Sequence, residues 1–341
     1  MCTPHYYAGL DIHKKTISYC VKSADGSIRE EGVMKSTRSE LKRWTVGHAG
    51  CTVALEATMF TGWIYDVLVS AGVDTKVAHP YRLRAIAAGK KKNDCVDART
   101  LADLLRCNLF PECYMAPEGL RNLRRVLRFR NLLVQQSVRM KNKTAGLLME
   151  VGAEYSKKRL HGKKYFDSLL KELTEIPDSV RRMLRLSRDT MEIFERNQQW
   201  LVDELAKHEE LCERVQRLST IDGVGVVTAL TWALEIGDPD RFPSIKNAVS
   251  YCGLCSAQRE SAGVSKRGPI SKQRNKHLQR VLIEAAKLAP RWNPQLAAVY
   301  RHERESGANH NQASMAVARK LVAYLLAVDK SGQNFERRDV A

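Results

Sequence analysis

The sequence predicts an α/β domain at its front, a long helical arm behind it and a mostly α-helical domain at its rear. Three observations carry this. Short β-rich runs alternate with helical patterns as far as residue 117, and strand signals then disappear from Glu118 to about Arg217. Beyond that point, helical patterns resume on either side of a polar, basic stretch. The boundaries read this way are 1–117, 118–216 and 217–341. A chain of 341 residues has room for two or three cores rather than one.

The front opens with β-rich runs at Tyr6–Asp11 and Thr16–Lys22, a turn at Asp25 and Gly26, and a third run through Met34. That reads as an antiparallel meander. Thr37 followed by Glu40 has the spacing of a capping box and starts a helix carrying Leu41 and Trp44. Cys51–Leu55 is the next strand. Helix Thr61–Ala71, strand Asp74–Ala78, helix Pro80–Ala88 and helix Asp94–Cys107 follow in order. In the rear, Leu278–Leu288 and Ala313–Val328 read as helices, and Ser256–Lys276 is left as a polar, basic stretch.

The formal net charge of +18 exceeds what solubility asks for and points to a polyanion, with nucleic acid ahead of membrane. The excess is uneven: residues 1–118 carry +3, residues 119–216 carry +7 and residues 217–341 carry +8. Met1–Leu10 has no charged-then-apolar leader and no apolar run has the length of a membrane span, so a cytoplasmic protein is expected. Nine cysteines stand without a disulfide-like framework. Cys252 and Cys255 have a zinc-like gap, with His277 as a conceivable third ligand, but no second pair matches them; buried, reduced thiols are the simpler reading.

Between Gly119 and Met149 stand eight basic residues and no acidic one. A solvated helix face usually alternates sign to gain i,i+4 pairs. Unrelieved like charge favours phosphate contact, and Arg121, Arg124, Arg125, Arg128, Arg130 and Lys141 are the candidates. Further on, Ile221-Asp-Gly223-Val-Gly225 before an apolar helix is a helix-hairpin-helix signature. Its glycines can turn the backbone N–H groups toward a phosphate, although a glycine turn joining two helices without any ligand has the same sequence.

Two acids close strands of one sheet: Asp11 after Gly9-Leu10, and Glu56 after Ala54-Leu55. Asp94 and Asp97 lie three apart at a helix start, on one face near the positive end of its dipole. Hard oxygen ligands grouped in this way hold Mg²⁺ or Mn²⁺ for phosphodiester chemistry. Together the four point to a ribonuclease-H-like nuclease core.

These residues, with Lys92-Asn93-Asp94-Cys-Val-Asp97-Ala98-Arg99, Tyr251-Cys-Gly253-Leu254, Glu260-Ser261-Ala-Gly263 and Gly268-Pro-Ile-Ser-Lys272, make nearly the whole chain resemble the DEDD transposases of the insertion-sequence-110 type, which include the pilin-gene invertases. The resemblance implies a RuvC-like domain with Asp11, Glu56, Asp94 and Asp97 as catalytic, metal-binding acids, and a C-terminal transposase domain supplying a nucleophilic serine, matched by Ser261. Arg259 and Lys266 flank that serine as nearby cations, Lys266, Arg267 and Lys272 are candidate phosphate contacts, and Ser256 and Ser265 are neighbouring rivals. Ala262 and Arg274 depart from the commoner Ser-Gly-Gly and Lys-x-Gly-Asn patterns of the family. The resemblance also implies donor and target DNA, a structured non-coding guide RNA of the bridge type, and a homo-oligomer, dimer or tetramer, as the active form.

Two other functions use the same features. A RuvC-like Holliday-junction resolvase needs the acids and the basic surface but acts through metal-activated water, without a serine. A non-catalytic nucleic-acid-binding protein on a degenerate nuclease fold needs no acids, and all four are intact here.

Overall fold

The computed structural model describes residues 5–86, 93–261, 263–270 and 273–337, with the backbone alone at 259 and 264–267. Two compact units result, dividing between Glu118 and Gly119.

In the first unit, β1 (Tyr6–Ile12), β2 (Thr16–Lys22), β3 (Ile28–Lys35), β4 (Cys51–Glu56) and β5 (Asp74–Ala78) form one sheet in the order β3-β2-β1-β4-β5. The first three strands pair antiparallel through tight turns, while β1, β4 and β5 run parallel. Parallel neighbours need crossovers, which α1 (Arg38–Gly47) and α2 (Thr61–Ser70) provide. Strand β4 is buried on both faces except at its last residue, as a central strand under helices must be. Leu10, Ile17, Val53 and Leu55 pack with Leu41 and Trp44 of α1 and Ile64 and Leu68 of α2 on one side. On the other, Ala54 and Ala78 meet Leu83 of α3 (Pro80–Ile86) and Leu101, Leu104 and Leu105 of α4 (Asp94–Arg106). Thr37 caps α1 by accepting from the Glu40 N–H, as the capping-box spacing predicts.

The second unit holds α5 (Glu118–Glu150), α6 (Lys163–Glu172), α7 (Asp178–Lys207), α8 (Cys212–Ser219), α9 (Val226–Ile236), α10 (Ile245–Tyr251), β6 (Ser256–Ser261), β7 (Val264–Ile270), α11 (Lys276–Leu288), α12 (Pro294–Glu305) and α13 (His310–Ser331). Helices α5 and α7 run antiparallel with a core at each end. Leu147, Leu148 and Leu184 pack with Leu160, Phe166 and Leu169 at the far end. Leu127, Val202 and Leu205 join the core of the C-terminal helices at the near end, so the base of the arm and the rear share one interior. At its centre α9 is buried from Thr228 to Ile236, and the Trp232 indole N–H is satisfied by Asp329 of α13, itself paired with Arg214 of α8. Among the described residues no helix is long and apolar enough to cross a membrane.

The polar stretch after Cys252 is the principal difference from the sequence expectation: β6 and β7 pair antiparallel there as a two-stranded ribbon. Its alternate positions are not apolar, so it carries no period-2 pattern to read. Helices α10 and α12 were likewise not anticipated, since α10 is one short segment and α12 buries only Leu296 fully.

Candidate active site

Asp11 and Glu56 are brought side by side by strand register. Leu10 of β1 pairs with Leu55 of β4 in parallel, so the next residue on each strand emerges at the same sheet end. Glu56 is held there through its backbone, its carbonyl accepting from the Thr61 hydroxyl at 2.7 Å.

Asp94 and Asp97 arrive on α4, whose first turn is capped by the Asn93 side chain. What fixes this helix over the sheet is Gly9. A Cβ at that position would lie 2.0 Å from the Ala98 carbonyl oxygen and 2.7 Å from the Ala102 nitrogen, so only glycine lets α4 approach β1 this closely. Small residues on the facing side of α4, Ala98 and Ala102, complete the close approach. Lys22 on β2 pairs with Asp103 at 2.5 Å, and Arg99 forms a two-pronged ion pair with Glu31 of β3. The Gly9-Leu-Asp11 and Asp94-x-x-Asp97-Ala98-Arg99 motifs are thus two halves of one packing arrangement.

Around Asp11 the geometry closes further. His13 Nε2 lies 3.0 Å from Asp11 Oδ2 and 3.3 Å from Asp94 Oδ1, and one ligand atom from each of the three residues falls within 4.8 Å of the others. Asp11 is largely enclosed, with 15% of its side chain exposed against 56% for Asp94. Burial pushes its carboxyl above the usual carboxylate range, and the charges of Asp97 and Asp94 push the same way against the opposing pull of His13. Like charges gathered beside a half-buried carboxylate are what a divalent cation relieves, and the donor set is one that Mg²⁺ or Mn²⁺ accepts. The Asp11, His13 and Asp94 group does not include Glu56 or Asp97 at the same separation.

His13 escaped the sequence reading. The available signal was spacing, since His13 stands two residues after Asp11, just past the end of β1, where an extended backbone would keep it on the face of Asp11.

Ser261 stands in the second unit as the last residue of β6, exposed at the tip of the ribbon. Ser261 pairs with Val264 across the tip, and Gly263 before Val264 has φ +77°, a left-handed conformation that hairpin turns favour. The base of the ribbon is clamped. The Asn275 N–H donates to the Tyr251 carbonyl at 3.0 Å and Gln279 Nε2 to the Gly253 carbonyl at 2.6 Å. Gly253, at φ +71°, sits where a Cβ would be 2.3 Å from that of Arg274. Lys272 lies outside the described residues, as do the side chains of Arg259, Ser265, Lys266 and Arg267.

That clamp reaches the arm through Glu235, whose side chain is wholly buried. Its carboxylate accepts two hydrogen bonds from Arg128 at 2.9 Å each and one from Asn275 Nδ2 at 2.8 Å, with Arg124 at 3.8 Å. Burial pushes the Glu235 carboxyl up, but Arg128, Asn275 and Arg124 more than reverse it and leave it below the usual range. Arg124 also donates to the Leu234 carbonyl. The expectation of phosphate contact at Arg124 and Arg128 is therefore revised, because their guanidinium groups are already paired with the buried Glu235 and, for Arg124, with the Leu234 carbonyl. Lys141 pairs with Glu195 of α7 at 2.8 Å, Arg125 with Asn122 and Arg130 with Asn131; Arg121 is half-buried, and Arg125 is exposed.

In the glycine turn before α9, Gly223 at φ +91° faces Ala289, 2.4 Å from where its Cβ would be, while Gly225 is the N-cap of α9 with open space around it. The adjoining Asp222 is held by both arms of Arg337. Cys252 is buried with its thiol pushed up by burial, and among the described residues it forms no metal-spaced group with Cys255 and His277.

Comparison with known proteins matches two segments of the chain. Residues 8–152 match the DEDD-type IS110 transposase family, and residues 215–301 match the IS116/IS110/IS902 transposase family. The transposase of insertion sequence IS1328 from Yersinia enterocolitica is 23% identical over 82% of each chain. That of IS1111A from Coxiella burnetii is 25% identical over 82% of this chain and 76% of its own. The pilin gene-inverting protein of Moraxella bovis is 28% identical over 38% of this chain and 41% of its own.

Proposed function

Since the chain belongs to the insertion-sequence-110 family of transposases, we propose that it cuts and rejoins DNA with a divalent cation held by Asp11, Glu56, Asp94 and Asp97 and with Ser261 as nucleophile. The observation that carries this reading is the convergence of Asp11 with Asp94, and of Asp11 with Glu56, from three separate elements at one sheet end. The sheet order, three antiparallel strands followed by two parallel ones, supports a ribonuclease-H-like identity for the first unit.

When bound, Mg²⁺ or Mn²⁺ supplies Lewis-acid stabilisation of charge on the reacting phosphate oxygens. The protein's own residues do the rest. Asp11, Asp94 and Asp97 are held near one another because Gly9 lets α4 pack directly on β1. Ser261 attacks from an exposed tip on a two-stranded ribbon with a clamped base, which presents the hydroxyl without crowding the DNA. As the Oγ–P bond forms, the bond from phosphorus to a deoxyribose oxygen breaks. The serine proton leaves and the departing oxygen gains one, and rejoining runs the same exchange backward. Arg125 on the arm, with Lys266, Arg267 and Lys272 beside the serine, meets backbone phosphates, and the glycine turn at 223–225 serves as a helix-hairpin-helix. Direction by a structured guide RNA fits the basic arm and rear, since protein contact with a guided duplex is mostly to backbone and shape. A homo-oligomer is the active form.

Two measurements test this. Alanine at Asp11, Glu56, Asp94 or Asp97 is expected to abolish cleavage of element-end DNA in Mg²⁺ or Mn²⁺, and near wild-type recombination by Glu56→Ala or Asp97→Ala contradicts the four-acid site. Sequencing of RNA that co-purifies with the protein is expected to recover one structured transcript, and random cellular RNA argues against guidance.

A further inference from the structure

We propose that His13 is a ligand of the divalent cation in the acidic site and turns that site's preference from Mg²⁺ toward Mn²⁺. The inference rests on the metal reading above and concerns one side chain that the four-acid motif leaves out.

His13 opens the tight turn between β1 and β2, where its backbone N–H donates to the Thr16 carbonyl at 2.9 Å. That bond fixes the backbone two residues beyond Asp11, just past the end of β1, and the imidazole lies on the face that carries the carboxylate. The ring reaches across to a second element, since its Nε2 lies 3.0 Å from Asp11 and 3.3 Å from Asp94. Two adjacent ligands, each about 2.1 Å from a shared ion, stand about 3 Å apart, so the separation of His13 from each carboxylate suits a shared cation. It also suits a hydrogen bond from a ring N–H, and the experiment below tells the two apart. The side chain is 51% exposed, which leaves the ring free to exchange its contact with Asp11 for one with a cation.

The chemical consequence is a change of metal. Mg²⁺ takes oxygen ligands and keeps its waters, whereas imidazole is a good ligand for Mn²⁺ and the later transition ions. One nitrogen among carboxylates leaves Mg²⁺ nearly indifferent to His13 and makes Mn²⁺ depend on it.

The test uses the full-length protein and Mn²⁺ alone, without DNA. Pulsed electron paramagnetic resonance of bound Mn²⁺ is expected to show modulation from a directly coordinated ¹⁴N, replaced by the ¹⁵N pattern when the histidines are ¹⁵N-labelled. His13→Gln is expected to lose the modulation and to bind Mn²⁺ about tenfold more weakly, at the low end of what disturbing a metal ligand's support costs. Calorimetry is expected to show Mg²⁺ affinity changed less than about twofold by the same substitution. Asp11→Asn is expected to lose the nitrogen signal as well. Mn²⁺ bound without nitrogen coupling, or coupling that survives in His13→Gln, overturns the inference and leaves the metal reading standing. Failure of wild type to bind Mn²⁺ overturns both. If His13→Gln does not fold, the wild-type spectrum still decides by the presence or absence of coupling.

Discussion

Gly9 and Ala98 touch backbone to backbone: a Cβ on Gly9 would stand 2.0 Å from the Ala98 carbonyl oxygen. The contact ties the strand that carries Asp11 to the helix that carries Asp94 and Asp97, and it explains why a glycine precedes the first acid by two residues and small residues follow the last.

Gly9→Ala therefore acts on the metal centre at a distance. The added methyl group must push α4 outward, at a cost of about 1–3 kcal/mol by the usual range for overpacking. Chemical denaturation is expected to show that loss, and calorimetry a weaker affinity for Mn²⁺ in the fraction that remains folded. Unchanged metal affinity at reduced stability would separate the packing from the site.

Asp11→Asn is expected to melt higher than wild type when both are metal-free, because it removes a carboxylate that burial and two neighbouring acids disfavour. Added Mn²⁺ then reverses the order. A hundredfold excess over Kd stabilises the wild type by about 2.7 kcal/mol and the variant far less. Equal stabilisation of both forms by metal would move the cation elsewhere.

The arm gives a prediction in which two kinds of arginine behave differently. Arg128→Ala strips the buried Glu235 of its bidentate partner and is expected to destabilise the protein by about 3 kcal/mol, the lower end for a broken buried pair because Arg128 is half exposed. Arg125→Glu is expected to leave stability nearly unchanged and to flatten the salt dependence of nucleic-acid binding by about one counterion. Denaturation curves and binding isotherms at several salt concentrations separate the two. A flattened slope for Arg128→Ala at full stability would restore the phosphate role.

Glu235 also sets a pH dependence. Its folded carboxyl titrates below the ordinary value of 4.5, so the folded state binds fewer protons there than the unfolded state does. Its stabilising contribution is complete above about pH 4.5 and disappears as pH falls through the lowered folded value. Denaturation of wild type and Glu235→Gln is expected to differ most near neutral pH and to converge in acid. A difference independent of pH would assign the effect to packing alone.

How much of this could be read from the sequence follows from which interactions are local. The five strands of the first unit, the Thr37 cap and the placement of Asp11 and Glu56 at strand ends come from short-range pattern, and all of these features stand in the structure. The partners of the arm's basic residues were hidden because charge was weighed along one helix. Arg128 finds Glu235 107 positions away and Lys141 finds Glu195 on α7, partners that i,i+4 spacing cannot reveal. The ribbon carrying Ser261 was illegible for a different reason, since strands without an apolar face give no alternation. His13 was present in the motif but unassigned, because its role depends on α4 coming across the sheet to bring Asp94 within 3.3 Å.

The central claim, that acids of the first unit serve a serine of the second, is tested most directly by trapping the protein on labelled element-end DNA in Mn²⁺ and separating the products under denaturing conditions. Wild type is expected to give a covalent serine–DNA band that is missing from Ser261→Ala and from Asp11→Ala but present in Ser256→Ala and Ser265→Ala. A band that persists in Ser261→Ala, or cleavage by wild type with no band at all, contradicts the claim; the second outcome assigns the cut to water.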